Sequence, residues 1–155
     1  MESKGTFCKY RLLFLLQSLW LNHLFSTDIT NVADSELANL VSAELTDSHI
    51  IRIKSILETI ISQGSKFECA VDQSLNILLQ KDNTALQCMA AQAIAEICKC
   101  EKKRISYAYS EIVQSLLSLL GKPICQDNVE VMKQCCRGLG NICFDNYVGR
   151  DLVLN

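Results

Sequence analysis

From residue 47 onward, apolar residues fall at helical spacing between short polar breaks. Ile50, Ile53, Leu57, Ile60 and Ile61 recur at intervals of three and four. They predict a helix over 48–63, with Asp47 as its N-cap and Gly64 just past its end. Val71, Leu75, Leu78 and Leu79 predict a second helix over about 66–80, closed by Lys81-Asp82-Asn83, and a third is predicted over about 84–100. A short piece near 104–109 leads into 110–120, where Ile112, Val113, Leu116, Leu117, Leu119 and Leu120 form a strong apolar face. Gly121 ends that helix and Pro123 is expected to block its resumption. The last long helix is predicted over about 128–144.

The front of the chain follows no such pattern. Residues 26–46, with Asp28, Asp34, Glu36 and Glu44, read as a linker or loosely helical connector. The apolar run at 12–25 follows Lys9 and Arg11, as in a signal peptide. Against that reading, Gln17, Asn22 and His23 interrupt it, and no small-x-small cleavage site follows. It is also too short and broken to span a bilayer comfortably, so no stable membrane insertion is expected. Leu12, Leu16, Leu19, Trp20 and Leu24 instead suit an amphipathic helix, either capping the array that follows or unrelated to it.

Two stretches of the helical part repeat one another. Residues 91–98 read AQAIAEIC and residues 136–143 read CRGLGNIC, so that Cys98 and Cys143 stand 45 residues apart. Each follows a polar stretch, DNTALQ at 82–87 and DNVEVM at 127–132, and each leads into a run ending in Arg104 or Arg150. A period of roughly 40–47 with only helical patterning is the signature of armadillo and HEAT arrays. Such repeats cannot bury their apolar faces alone, so they stack into a superhelix whose concave surface binds partners. The expected fold is all-α, an armadillo/HEAT-type α-solenoid over 47–155, with 1–46 as a poorly patterned extension carrying one apolar helix. One complete unit runs from about 82 to 121. The next opens near 127 and reaches Asn155 without its apolar helix, so the array is expected to be truncated within a repeat.

Composition narrows the function. A formal net charge of −2 gives no electrostatic footprint for nucleic acid. The nine cysteines are odd in number and match no common secreted framework. They read as reduced core thiols, because free cysteine behaves as a small hydrophobe. Cys98-x-Cys100 and Cys135-Cys136 lack zinc-ligand spacing, and the only histidines, His23 and His49, lie outside the repeated part. No metal or cofactor is expected. Catalytic patterns are missing too: around Gly121-Lys122, Leu116 stands where a P-loop has its first glycine and Pro123 where it has Ser or Thr. The cluster Lys99, Glu101, Lys102, Lys103, Arg104 reads as a helix end that complements the dipole and solvates a turn.

Helical spacing of four puts Lys133, Arg137, Asn141 and Asp145 on one stripe of the last long helix. One period earlier stand Cys88, Gln92, Glu96 and Cys100. Gln92, Glu96, Arg137, Asn141 and Asp145 therefore form a candidate ladder facing a partner, with Asn141 able to pair with peptide backbone and Glu96 and Asp145 suited to basic side chains. An ordinary solvated face has the same appearance. Gly138 and Gly140, flanking Leu139, suggest close approach of a neighbouring helix, since a mid-helix glycine costs about 1 kcal/mol relative to alanine.

At RGLGNICFDNYVGR (137–150) the chain resembles the armadillo-repeat GDP-dissociation stimulators of Rap- and Rho-type small GTPases. AQAIAEICKCEKKRI (91–105) and SLLSLLG (115–121) share the likeness, which fades toward residue 48. The resemblance implies a non-catalytic scaffold of the guanine-nucleotide exchange type, holding small GTPases with basic, prenylatable C-termini and promoting GDP release. It also implies a cytosolic protein, with association to endoplasmic reticulum or mitochondria. Glu96 departs from the ladder asparagine of generic armadillo repeats, and Arg137 from their tryptophan, which speaks against an importin-type groove. A general peptide-binding adaptor without exchange activity is the alternative.

Overall fold

The computed structural model describes residues 34–123 and 127–154. Their regular elements are all helical, and no strand occurs among them. Residues 34–42 (α1) are followed by α2 (Asp47–Gln63), a 3-10 turn (Gly64–Lys66), α3 (Asp72–Gln80), α4 (Thr84–Ile97), α5 (Glu101–Ala108), α6 (Ile112–Leu120), α7 (Val129–Cys143) and α8 (Tyr147–Leu154). The apolar run at 12–25 lies outside the described residues.

The elements group into long–short–apolar triplets. In the first, α2 is long, the 3-10 turn is short and α3 is apolar; α4, α5 and α6 repeat the order, and α7 and α8 begin it again. Asn83 and Asn128 cap the second and third long helices in the same way, each side-chain oxygen accepting from the backbone N–H three residues on (Leu86 at 3.0 Å, Val131 at 3.2 Å). Burial repeats at the 45-residue offset as well: Leu86 and Val131, Ala90 and Cys135, and Ile97 and Ile142 are all fully buried.

The triplets stack in parallel. Cys88 feels the charges of Glu130 and Lys133, Gly138 sits against Ala91 and Ile94, and Asn141 reaches Ala95, so α4 and α7 advance together. The apolar helices do the same. Asn76 donates to Glu111 at 3.1 Å and Gln80 to Ser115 at 3.3 Å, one turn further along both α3 and α6. Each unit thus buries its apolar face on the one before, which makes the chain an all-α solenoid.

Several boundaries differ from the sequence expectation, each for a local reason. Thr46, not Asp47, caps α2: its backbone is extended and its hydroxyl accepts from the His49 N–H at 3.3 Å. Gly64 does close α2, with φ +54°, a left-handed conformation that glycine adopts without a Cβ penalty. Helix α3 begins at Asp72 rather than near 66, because Phe67 drops into the core in extended conformation. The carbonyls of Glu68 and Cys69, which no helix satisfies, accept from Lys103 Nζ of the next unit at 3.1 and 3.0 Å. Helix α6 does end at Leu120, but Pro123 is itself helical. The expected connector carries α1, which places Leu37 and Val41 in the common core and pairs Glu36 with Arg52 of α2 at 2.6 Å.

Gly138 is tight, as expected: a Cβ there would lie 3.3 Å from Leu116 Cδ1. Gly140 is not, with nothing within 4 Å of the same position, because it points away from the seam. The glycine that the packing requires most is Gly149, whose Cβ would meet the Ile142 carbonyl oxygen at 2.9 Å.

Candidate functional site

The predicted ladder lies along the seam between α4 and α7. Glu96, in the last turn of α4, is its centre. One carboxylate oxygen accepts from Arg137 Nη2 at 2.7 Å across the seam, and the other accepts from Lys99 beyond the end of its own helix. Only 17% of the Glu96 side chain is exposed, against 37% for Arg137 and 52% for Lys99. The bond from Lys99, and then that from Arg137, hold the Glu96 carboxyl below its ordinary range against the opposing effect of burial.

Arg137 is held from its own helix as well. Its Nη1 donates to Gln134 Oε1 at 2.6 Å, and the Gln134 amide donates in turn to Glu130. Glu130 also receives Lys133 Nζ at 3.1 Å. A continuous polar line therefore runs Lys133, Glu130, Gln134, Arg137, Glu96, Lys99. Gln134 is almost fully buried, and its amide is the relay between the two ion pairs.

Asn141 is half-buried and donates Nδ2 to the Ala95 carbonyl at 2.7 Å. Gln92 is half-buried on α4, one turn before Glu96. Asp145 is set apart from these four. Helix α7 ends at Cys143, and Asp145 occupies an exposed left-handed turn with φ +48°, so the stripe stops at Asn141. Aspartate tolerates that conformation better than most residues with a side chain.

Sequence reasoning missed three contributors. Lys99 was assigned to a solvated cluster, whereas it holds Glu96. From the same cluster, Arg104 Nη1 donates to the Lys99 carbonyl at 3.2 Å, and its guanidinium lies 5.3 Å from the centre of the exposed Phe144 ring. Asn146 was not singled out at all. It is 7% exposed, caps α8 through Oδ1 to the Gly149 N–H at 3.4 Å, and donates Nδ2 to the Arg104 carbonyl at 3.3 Å. Its position just ahead of a helix was the available signal.

A concavity of about 580 Å³ lies between α3 and α6 and is lined in part by Gln80, Glu111, Ser115 and Lys122. There, Gln80 already bonds to Ser115. No helix among the described residues is long and apolar enough to cross a membrane.

Comparison with known proteins agrees with the resemblance seen in the sequence. The chain is 38% identical over 78 residues to the GTPase-GDP dissociation stimulator vimar of Drosophila melanogaster, covering 50% of this chain and 12% of that protein. It is 40% identical over 63 residues to Rap1 GTPase-GDP dissociation stimulator 1-B of Xenopus laevis, covering 41% of this chain and 10% of that protein. Over about half its length, then, the chain is similar to GTPase-GDP dissociation stimulators, and the match spans about a tenth of their length. No protein-family model and no solved structure matches it.

Proposed function

We propose, from this kinship with GTPase-GDP dissociation stimulators, that the chain is a non-catalytic small-GTPase-binding module built of armadillo-type repeats. Residues 47–155 are the repeats in this reading, with α1 covering the first of them. The observation that carries it is the two-fold similarity in sequence to stimulators, falling on a chain whose units stack in parallel. The finer reading takes GTPases of Rap or Rho type with basic, prenylatable C-termini as the partners and the cytosol as the compartment, with association to endoplasmic reticulum or mitochondria. Gln92, Glu96, Arg137, Asn141 and Asp145 are the partner-facing residues.

Such a module works by differential affinity. If it binds the nucleotide-free GTPase more tightly than the GDP-bound form, linkage weakens GDP binding by the same factor, typically worth about 1–3 kcal/mol. No covalent step is required of the scaffold. The test is to measure binding of this chain to a Rap- or Rho-type GTPase in both states, together with release of a fluorescent GDP analogue. Tighter binding to the nucleotide-free form with faster release is expected. Equal affinity with unchanged release would favour a general peptide-binding adaptor, and no binding to either state would overturn the GTPase-binding reading.

A further inference from the structure

The chemistry of the α4–α7 seam is that of a donor surface. Glu96 has both carboxylate oxygens engaged, one by Arg137 and one by Lys99, so about half of the acceptor capacity of the seam's most buried charge is taken from within. Its two cations are only partly used. Arg137 spends one N–H on Glu96 and one on Gln134, out of the five a guanidinium carries. Lys99 spends one of three. The Asn141 amide donates to Ala95, inside the protein. One carboxylate is therefore shared by two half-exposed cations, each with N–H groups to spare. Lys133 and Glu130 balance one another one to two turns away. Asp145 stands beyond the end of α7 and forms no ion pair among the described residues.

We infer that the seam around Arg137 and Lys99 is a subsite for an acidic side chain in an extended segment of a partner protein. A carboxylate accepts from two donors at once, and an arginine held in place by Gln134 and Glu96 is pre-organised to donate. Glu96 then acts as a tether that positions both cations and moderates their affinity, not as the group that a basic partner seeks. A single excess charge on a chain of net charge −2 suits an isolated carboxylate and not a polyphosphate backbone. This deepens the proposal of a GTPase-binding module by stating the polarity of the contact. It stands or falls separately, because peptide binding is read without nucleotide release.

The experiment compares two fluorescent decapeptides, one of alternating Glu and Gly and one of alternating Lys and Gly, titrated with the whole chain at low salt and read by anisotropy. The acidic peptide is expected to bind more tightly. Arg137→Gln should weaken it about tenfold, the loss of one charge-assisted contact. Lys99→Gln, further from the packed seam, should weaken it about threefold, and provides the test should the Arg137 variant fail to fold. Glu96→Gln should strengthen it about threefold, since it removes the competing carboxylate. Tighter binding of the basic peptide, binding of neither peptide, or weaker acidic-peptide binding by a folded Glu96→Gln would each overturn the inference.

Discussion

The side-chain amide of Asn141 on α7 donates to the backbone carbonyl of Ala95 on α4, 2.7 Å away across the seam. Ala95 stands in the last turn of its helix, where carbonyls run out of helical donors. The N–H of Lys99, which would serve it in a longer helix, bonds instead to Glu96 at 3.4 Å. One unit thus completes the backbone of the unit before it, and the asparagine read from the sequence as a peptide-holding group holds the protein's own main chain.

Asn141→Ala removes that donor while Ala95 remains fully buried. An unsatisfied buried carbonyl costs about 1–3 kcal/mol, and the loss should appear as a lower denaturant midpoint with an unchanged slope. A change below about 0.5 kcal/mol would show that water replaces the amide and that the bond is incidental.

Gly140 and Gly149 should respond in opposite directions. Gly140→Ala adds a methyl where nothing lies within 4 Å and removes a flexible residue from the last turn of α7. Stabilisation by about 0.5–1 kcal/mol is expected. Gly149→Ala forces a Cβ to within 2.9 Å of a backbone oxygen at Ile142, which has little freedom to yield. Destabilisation by about 1–3 kcal/mol is expected, with loss of the α7–α8 packing. Thermal melts of the two variants decide it, and shifts of the same sign would contradict the packing described here.

Glu96 makes stability depend on pH. Its folded pKa lies below the unfolded value because Lys99 and Arg137 favour the ionised form. The stabilisation is fully present above the unfolded value of about 4.3 and is lost as pH falls through the folded one. The denaturant midpoint of the native chain should therefore drop more steeply below about pH 5 than that of Glu96→Gln. Parallel curves would mean that the ion triad contributes nothing to folding.

How far the sequence revealed the structure depended on how many residues spoke for each feature. The α4–α7 relationship was legible because eight-residue stretches repeat at one offset and both long helices carry a full apolar face. The α1 helix was not, since only Leu37, Leu40 and Val41 meet the core from it, too few to stand out from polar neighbours. Helical spacing puts Glu96 and Arg137 on one surface. That they bond to each other, however, depends on a crossing distance that periodicity does not contain. Lys99 was hidden because its direction is set by the turn after α4, and Asp145 leaves the stripe because intervals of four hold only while the helix continues.

The cysteines give the last prediction. Cys98 is fully buried, and burial pushes its thiol up to about 12 although Arg104 and Lys103 pull the other way. The thiolate is the reactive species, so Cys98 should be inert at pH 8 while the protein is folded. Cys136 sits on the exposed face of α7, two positions before Gly138, and should be alkylated at once. Mass spectrometry after brief exposure to iodoacetamide should show an adduct at Cys136 and none at Cys98, with Cys98 reacting only when denaturant is added. Replacing Cys98 also separates packing from chemistry. Cys98→Ser buries a hydroxyl and should cost about 1–3 kcal/mol, whereas Cys98→Ala loses only volume and should cost less. Equal labelling of the two cysteines in the native state would place Cys98 outside the core and break the match between its unit and the next.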